Sequence, residues 1–272
     1  MKHILCFGDS NLFGTNPSGG RWPLEQRWTG LLSRALGNDY RIIEEGLGGR
    51  TTCFDDPLEE NRNGSLQLPI MLGSHRPLDL VIISLGTNDC KTMFNANAKI
   101  IAKALEKLAL MVKNYPYGEY YPIPQVLVIS PIHSGEKVGT SPFASFDQNS
   151  HILSKTLAPA IQAMAEKNNL LFLDASLVAT SSPIDQLHMD REGHAALAKA
   201  LLPLIFGWFG DDRAGLVQEE AIVEASSPEL SDAKPEIFDD GSVDLVEKNE
   251  AAPSPHKRER SPLSFGFFKR RF

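Results

Sequence analysis

Cysteine is scarce in this chain of 272 residues, and the three that occur are Cys6, Cys53 and Cys90. Their number is odd and no two of them form a Cys-x-x-Cys pair, so the sequence indicates neither a disulfide framework nor a zinc site. None of these thiols has a separate base of its own in the sequence. We therefore expect all three to be structural, and we expect no metal and no cofactor.

Long hydrophobic runs are also absent. No stretch reaches the roughly eighteen continuous apolar residues that a membrane-spanning helix needs. The first residues, Met1-Lys2-His3, lead directly into a short strand-like run without the apolar core of a signal peptide. These features predict a cytoplasmic protein.

Charge is distributed unevenly along the chain. Residues 211–250 contain 13 acidic and three basic side chains, whereas residues 256–272 contain six basic and one acidic, and the remainder is close to neutral. Such charged, Ser- and Pro-containing segments cannot bury a core of their own. We predict one folded domain over 1–210 and a disordered tail over 211–272, acidic first and then basic.

The basic end of the tail also contains four phenylalanines between its charges, within "SFGFFKRRF". One hypothesis is an idle, solvated tail. The alternative is peripheral contact with an anionic membrane surface, to which lysine and arginine are attracted. We expect no nucleic-acid partner, and the sequence leaves the oligomeric state open.

Short apolar runs alternate with longer amphipathic segments through the first 210 residues. The runs are "ILCF", "RIIEEGL", "LVIISLG", "VLVIS" and "LFLDA", and the amphipathic segments lie near 25–36, 97–114, 148–168 and 190–207. This alternation predicts an α/β fold, a three-layer α/β/α sandwich of flavodoxin-like type with a mostly parallel, five-stranded sheet. Ligands of such sheets bind outside the carboxyl ends of the strands.

The first apolar run ends at Gly8 and is followed by Asp9, Ser10 and Asn11. All three polar residues can cap a helix, which is the simpler interpretation. The alternative is that Ser10 is a nucleophile held at the end of a strand. A serine hydroxyl needs a base within hydrogen-bond reach, so this alternative depends on a histidine.

A suitable histidine occurs in the segment "SPIDQLHMDREGH". Asp185 and His188 are separated by two residues, a spacing that lets the carboxylate bond Nδ1 while Nε2 faces a serine. His194 follows Asp190, a typical N-cap, inside a helical pattern. We predict that His188 is the base, that Asp185 orients it and that His194 is a helix residue.

Donors for an oxyanion follow the second and third strand-like runs. Gly48 and Gly49 can bring a backbone N–H close to a ligand, and the side-chain amide of Asn88 is a neutral donor. With the backbone N–H of Ser10, three donors are available. We expect Asp9 and Asp89 to act as caps and loop organisers.

Two other groups of residues near these motifs allow alternative interpretations. Asp55-Asp56 and Glu59-Glu60 form an acidic loop, which we expect to be solvated because no matching His or Cys set supports a metal site. The aromatic residues Trp22, Trp28, Phe13 and Phe94 can either pack against the sheet or line a substrate pocket.

Gly8-Asp9-Ser10, Gly49, Gly86-x-Asn88-Asp89 and Asp185-x-x-His188 together resemble the four blocks of the SGNH hydrolase superfamily, also called GDSL esterases. Longer stretches such as "CFGDSNLFG", "EEGLGGRTT" and "LHMDREGH" are similar to its arylesterase and acyltransferase branch. The likeness covers residues 1 to about 207. Asn11 stands where the family often has leucine, a departure that leaves the proton relay untouched.

This resemblance implies that Ser10 is the nucleophile, His188 the base and Asp185 its partner, with Ser10, Gly49 and Asn88 as the oxyanion donors. Gly49 is preferred to Gly48 because it directly precedes Arg50-Thr51, which matches the usual order in the family.

We therefore expect a serine-dependent carboxylic ester hydrolase that acts on small acyl or aryl esters through an acyl-enzyme. One alternative is transfer of the acyl group to an alcohol, and another is a non-catalytic platform recruited through the tail. An α/β-hydrolase is excluded because no serine lies in a Gly-x-Ser-x-Gly elbow.

Overall fold

Five parallel strands form the centre of the protein in a computed structural model that describes residues 1–215. They are β1 (Lys2–Gly8), β2 (Tyr40–Gly46), β3 (Leu80–Ser84), β4 (Gln125–Ser130) and β5 (Leu171–Asp174), and their order in the sheet is β2-β1-β3-β4-β5. This is the strand order of flavodoxin-like sheets. The predicted fold class is confirmed.

Seven α-helices cover the sheet over residues 1–215. They are α1 (Ser10–Phe13), α2 (Trp28–Leu36), α3 (Gly64–His75), α4 (Ala98–Asn114), α5 (Gln148–Ser154), α6 (Leu157–Lys167) and α7 (Arg191–Phe209). Short 3₁₀ turns lie between them, among them Asn88–Cys90 after β3.

The core consists of two apolar layers, one on each face of the sheet. Alternate side chains of a strand point to opposite faces. Leu5 of β1 and Val81 of β3 pack with α3, α4 and α6, while Ile4 and Ile82 of the same strands pack with α2 and α7. Burial on both faces explains why these strands read as continuous apolar runs.

The register aligns the carboxyl ends of the three strands that precede the predicted site. Gly8 pairs with Gly46 of β2 and with Ser84 of β3. The segments that begin at residues 9, 47 and 85 therefore leave the sheet side by side, at one edge.

The described chain continues beyond the predicted domain boundary at 210. The Tyr40 hydroxyl donates to Asp211 Oδ2 at 3.0 Å, and Arg213 Nη1 donates to the carbonyl of Leu36 at 3.0 Å. Residues 211–213 thus contact the folded domain. The rest of the predicted tail, from residue 216, lies outside the described residues, and its disorder stays a prediction.

Within residues 1–215, no helix is long and apolar enough to cross a membrane. The cytoplasmic location expected from the sequence stays a prediction.

Candidate active site

Ser10 is the first residue of α1, and only Asp9 separates it from the end of β1, the strand between β2 and β3. Asp9 caps this helix, because its Oδ1 accepts the backbone N–H of Asn11 at 3.0 Å. The helix ends after one turn at Gly14, whose φ of 85° is left-handed and suits glycine. The sequence therefore makes a sharp strand-to-helix turn that holds Ser10 at the carboxyl edge of the sheet.

The structure brings His188 and Asp185 to Ser10. The hydroxyl of Ser10 lies 2.8 Å from His188 Nε2, and His188 Nδ1 lies 2.6 Å from Asp185 Oδ2. All three residues are buried, with Ser10 6% and His188 4% exposed. A proton on Nδ1 that is donated to Asp185 leaves the Nε2 lone pair free to accept the serine proton.

Asp185 is held as an anion by its hydrogen bonds. Its Oδ1 accepts the backbone N–H groups of Leu187 and His188, both at 3.0 Å. Burial raises the pKa of Asp185, but the hydrogen bonds from the imidazole and the backbone of His188 outweigh it and hold the pKa below its usual range. The carboxylate is therefore ionised at neutral pH, and this arrangement can stabilise a positive charge on His188.

Asn11 ties the histidine segment to the serine helix. Its Oδ1 accepts the backbone N–H of Met189 at 2.9 Å, and its Nδ2 donates to the carbonyl of Leu187 at 3.4 Å. These two residues flank His188 on either side. Sequence reasoning treated Asn11 as a possible helix cap and as a departure from the family pattern. It missed this contact, which joins positions far apart in the chain.

Two of the three predicted oxyanion donors, Gly49 and Asn88, lie in neighbouring turns. The turn after β2 is held against β1, because the N–H of Leu47 donates to the carbonyl of Gly8 at 3.1 Å. Asn88 begins the turn after β3, and its Nδ2 donates to the carbonyl of Arg50 at 3.1 Å. The bond from one N–H of the Asn88 amide fixes the orientation of this group, and its second N–H can donate to a ligand.

Gly49 and Gly48 differ in their surroundings. Gly49 has a left-handed φ of 73°, and a Cβ there would collide with the carboxylate of Glu59, whereas a Cβ on Gly48 would meet no atom within 4 Å. Only Gly49 therefore requires glycine in this turn.

Asp9 and Asp89 organise the backbone as predicted. Asp9 is the cap of α1, and Asp89 accepts both the backbone N–H of Thr52, at 3.1 Å, and the Thr52 hydroxyl. Burial raises the pKa of Asp9 to about 6 and that of Asp89 to about 7.

The expectation of a solvated acidic loop over residues 55–60 is wrong for Asp56. Its side chain is fully buried, and Oδ2 lies 2.7 Å from Lys91 Nζ. Glu59 Oε2 lies 2.9 Å from the same nitrogen. Sequence reasoning missed Lys91, although a lysine directly after the "GTNDC" turn was the available signal.

His194 lies in the first turns of α7, as predicted. It is fully buried, and its Nδ1 accepts the backbone N–H of Trp28 at 3.3 Å. Burial lowers the pKa of His194 to about 3. The neutral His194 belongs to the apolar layer between α2 and α7.

Of the aromatic residues near the motifs, one lies in the core and the others are only partly buried. Trp28 is fully buried in the core, whereas Trp22 donates through Nε1 to the carbonyl of Met189 at 3.4 Å. Phe94 stacks on Phe54, with ring centroids 4.9 Å apart, and the ring of Phe13 lies 4.1 Å from the Arg21 guanidinium. Phe143, which sequence reasoning missed, packs edge-on against the His188 ring at 5.5 Å.

The three cysteines are free thiols within the described domain, with Cys6 and Cys90 buried and Cys53 half-buried. Burial raises the pKa of Cys53, so that its thiol stays protonated at neutral pH.

Comparison with known proteins matches residues 6–196 to the GDSL-like lipase/acylhydrolase family. Among solved structures, Est24, a carbohydrate acetylesterase from Sinorhizobium meliloti, is 37% identical with a TM-score of 0.72, and the match covers 77% of this chain and 100% of that one. The native aryl esterase of M. smegmatis is 36% identical with a TM-score of 0.71, over 76% and 99% of the two chains.

A curated relative matches only in part. The lipoprotein YqeF of Bacillus subtilis is 27% identical over 99 residues, which are 36% of this chain. The match spans 37% of the length of that relative.

Proposed function

Because the chain belongs to the GDSL-like lipase/acylhydrolase family and is a carboxylic ester hydrolase of the SGNH type, we propose that it cleaves small acyl or aryl esters through an acyl-enzyme on Ser10. The observation that carries the proposal is the continuous hydrogen-bonded chain from the Ser10 hydroxyl through His188 to Asp185. A hydroxyl next to a neutral, oriented imidazole is the arrangement that activates serine.

The first half of the reaction forms the acyl-enzyme. Ser10 Oγ attacks the carbonyl carbon of the ester while its proton passes to His188 Nε2. The bond to the leaving alkoxide then breaks as His188 returns the proton to it, and an alcohol departs. Asp185 stays ionised throughout and stabilises the imidazolium.

The oxyanion of the tetrahedral intermediate is stabilised by the backbone N–H groups of Ser10 and Gly49 and by the amide of Asn88. The hydrogen bond from Asn88 to Arg50 supports this role, because it fixes the amide before the substrate arrives. In the second half, a water molecule attacks the carbonyl carbon of the acyl group while its proton passes to His188 Nε2. The bond to Ser10 Oγ then breaks as His188 returns the proton to that oxygen, and a free acid departs.

Substitution of Ser10 tests this mechanism. Ser10→Ala should lower kcat/KM for p-nitrophenyl acetate by several orders of magnitude without loss of the fold. Ser134→Ala is the matched control. Ser134 is a buried serine next to a histidine, but its hydroxyl donates to Ser154 Oγ at 3.3 Å, and it is the backbone carbonyl of Ser134 that lies near His151 Nδ1. A folded Ser10→Ala protein that retains the wild-type rate would exclude the mechanism.

Acyl transfer to an alcohol is a second candidate, and the burial of Ser10 and His188 favours it. A site that restricts water gives a small alcohol a better chance to resolve the acyl-enzyme. The ratio of ester product to free acid, measured over a series of alcohol concentrations, distinguishes transfer from hydrolysis. A product mixture that follows the bulk ratio of alcohol to water would argue against a transferase role.

A further inference from the structure

The ammonium group of Lys91 is buried and lies between the buried carboxylate of Asp56 and the carboxylate of Glu59, whose side chain is 42% exposed. The side chain of Lys91 is 7% exposed and that of Asp56 is fully buried, with Nζ 2.7 Å from Asp56 Oδ2 and 2.9 Å from Glu59 Oε2. An ion pair that is removed from water is costly to form, and the loss of one partner leaves the other charge uncompensated. The contact therefore fixes the loop that carries both carboxylates.

This loop lies over the turn that contains Gly49. A Cβ built on Gly49 would collide with Glu59 Oε2 and would lie 2.9 Å from Arg62 Nε. The carboxylate that Lys91 pairs with thus occupies the place that a Cβ of residue 49 would take. Displacement of Glu59 would remove this packing from the turn that contains Gly49.

The backbone of Lys91 belongs to the turn that contains Asn88. The N–H of Lys91 donates to the carbonyl of Asn88 at 3.2 Å, which closes this turn. The two turns are joined again by the bond from Asn88 Nδ2 to the carbonyl of Arg50. The backbone of Lys91 therefore bonds Asn88, one predicted oxyanion donor. Its side chain bonds Glu59, which packs against the turn of the other donor, Gly49.

We infer that Lys91 is a positioning residue of the oxyanion hole, which holds the Gly49 and Asn88 turns at a fixed separation through its ion pairs with Asp56 and Glu59. This inference rests on the proposed function, since it assigns the two donors to a developing oxyanion. Lys91 acts on the reaction only through Glu59 and the two turns.

A positioning role has a definite kinetic signature. Oxyanion donors stabilise the transition state only if they are aimed before charge develops, and they contribute little to binding of the uncharged ester. Release of the loop should therefore lower kcat and leave KM nearly unchanged. The affinity for a tetrahedral adduct should fall by the same factor as kcat.

The test compares Lys91→Met with the wild type in the full chain. The substrate is p-nitrophenyl acetate, and the probe of the tetrahedral state is inhibition by an aliphatic trifluoromethyl ketone. We expect kcat to fall on the order of tenfold or more, KM to change by less than about twofold, and the ketone to bind weaker by a factor similar to that in kcat.

Two further variants separate this role from a loss of stability. Lys103→Met is the matched control, because Lys103 also pairs with a carboxylate, Glu106, but its side chain is 75% exposed on α4. It should keep the wild-type kcat. The double variant Asp56→Asn/Lys91→Met leaves no unpaired charge from the Lys91–Asp56 pair, so it should fold and still show the loss in kcat.

The inference is overturned if the folded double variant keeps the wild-type kcat and ketone affinity, or if its defect lies in KM alone. If the proposed function is wrong, the result is different. The wild type and Ser10→Ala would then hydrolyse p-nitrophenyl acetate at the same rate.

Discussion

His188 and His194 follow each other closely in the sequence but have opposite environments. His188 lies between the Ser10 hydroxyl and the Asp185 carboxylate, so that both of its ring nitrogens have a polar partner. His194 accepts one bond from the backbone of Trp28, and its Nε2 is buried without a partner among the described residues. The two residues should therefore respond differently to substitution.

We expect His188→Ala to lower kcat/KM by several orders of magnitude in a protein that still folds, because the serine loses its base. His194→Ala should instead lower the free energy of unfolding, by about 1–3 kcal/mol, because it opens a cavity and leaves the Trp28 N–H unpaired. Steady-state kinetics and urea denaturation of both variants measure the two effects. A folded His194→Ala protein with the larger loss of activity would show that the base is assigned wrongly.

The buried His194 also predicts how stability depends on pH. Its pKa is about 3 in the folded protein and near 6.5 in an unfolded chain, so the unfolded state binds the proton more readily between these values. Its contribution to stability is complete above about pH 6.5 and is lost as the pH falls towards 3.

The raised pKa values of Asp9 and Asp89 have the opposite effect on the pH dependence of stability. The folded state binds their protons more readily than the unfolded chain, so protonation of these two groups on acidification favours folding. His194→Gln isolates the histidine. Urea denaturation from pH 7 to pH 4.5 should show a smaller loss of stability on acidification for this variant than for the wild type. Parallel profiles for the two proteins would contradict a neutral buried His194.

At the level of elements, the strands were predictable because burial on both faces leaves a continuous apolar run. Helix α7 was predictable for a different reason, since Asp190 caps it and its N-terminal half is amphipathic. Helix α3 was not predicted. It contains Pro69 in its interior, and it exposes Leu66 and Ile70, which obscures the helical period.

The amphipathic segment near 148–168 forms two helices, α5 and α6, separated at Lys155 and Thr156. Pro159 explains the break, because a proline has no N–H to donate and its ring clashes with the carbonyl four residues earlier. The proline is tolerated in the first turn of α6, where N–H groups lack intrahelical partners.

At the site, sequence motifs identified the residues that the structure brings together around Ser10, but not those that hold them in place. Asn11, Lys91 and Phe143 act through contacts with segments distant in the chain. No local spacing encodes such contacts, because the packing of the loops above the sheet decides them.

The turn after β2 gives a prediction from backbone geometry. Gly49→Ala should lower kcat by tenfold or more, since alanine costs about 1–2 kcal/mol at positive φ and would displace Glu59. Gly48→Ala is the matched control and should keep the wild-type kcat, because its Cβ would enter open space. If the two variants were equally active, the Gly49 peptide would not be a required part of the site.

For the molecule as a whole, the contacts of residues 211–213 show that the folded domain extends at least to residue 213. A chain that ends at Gly215 should keep wild-type ester hydrolysis and thermal stability. A chain that ends at Gly210 should have a lower Tm, because it loses the bonds from Tyr40 to Asp211 and from Arg213 to Leu36. Thermal melting of both truncations checks this, and a large loss of Tm in the longer one would show that the predicted tail stabilises the domain.

The central claim is that Ser10 carries the acyl group during turnover. The most direct measurement is mass spectrometry of protein quenched in acid within the first turnovers of p-nitrophenyl acetate. Our account predicts that the wild type carries a single added acetyl group on the peptide that contains Ser10, and that Ser10→Ala carries none. Any adduct that forms on His188→Ala should persist longer than that of the wild type. An acetyl group found on another residue, in a wild-type protein that hydrolyses the ester, would contradict the account.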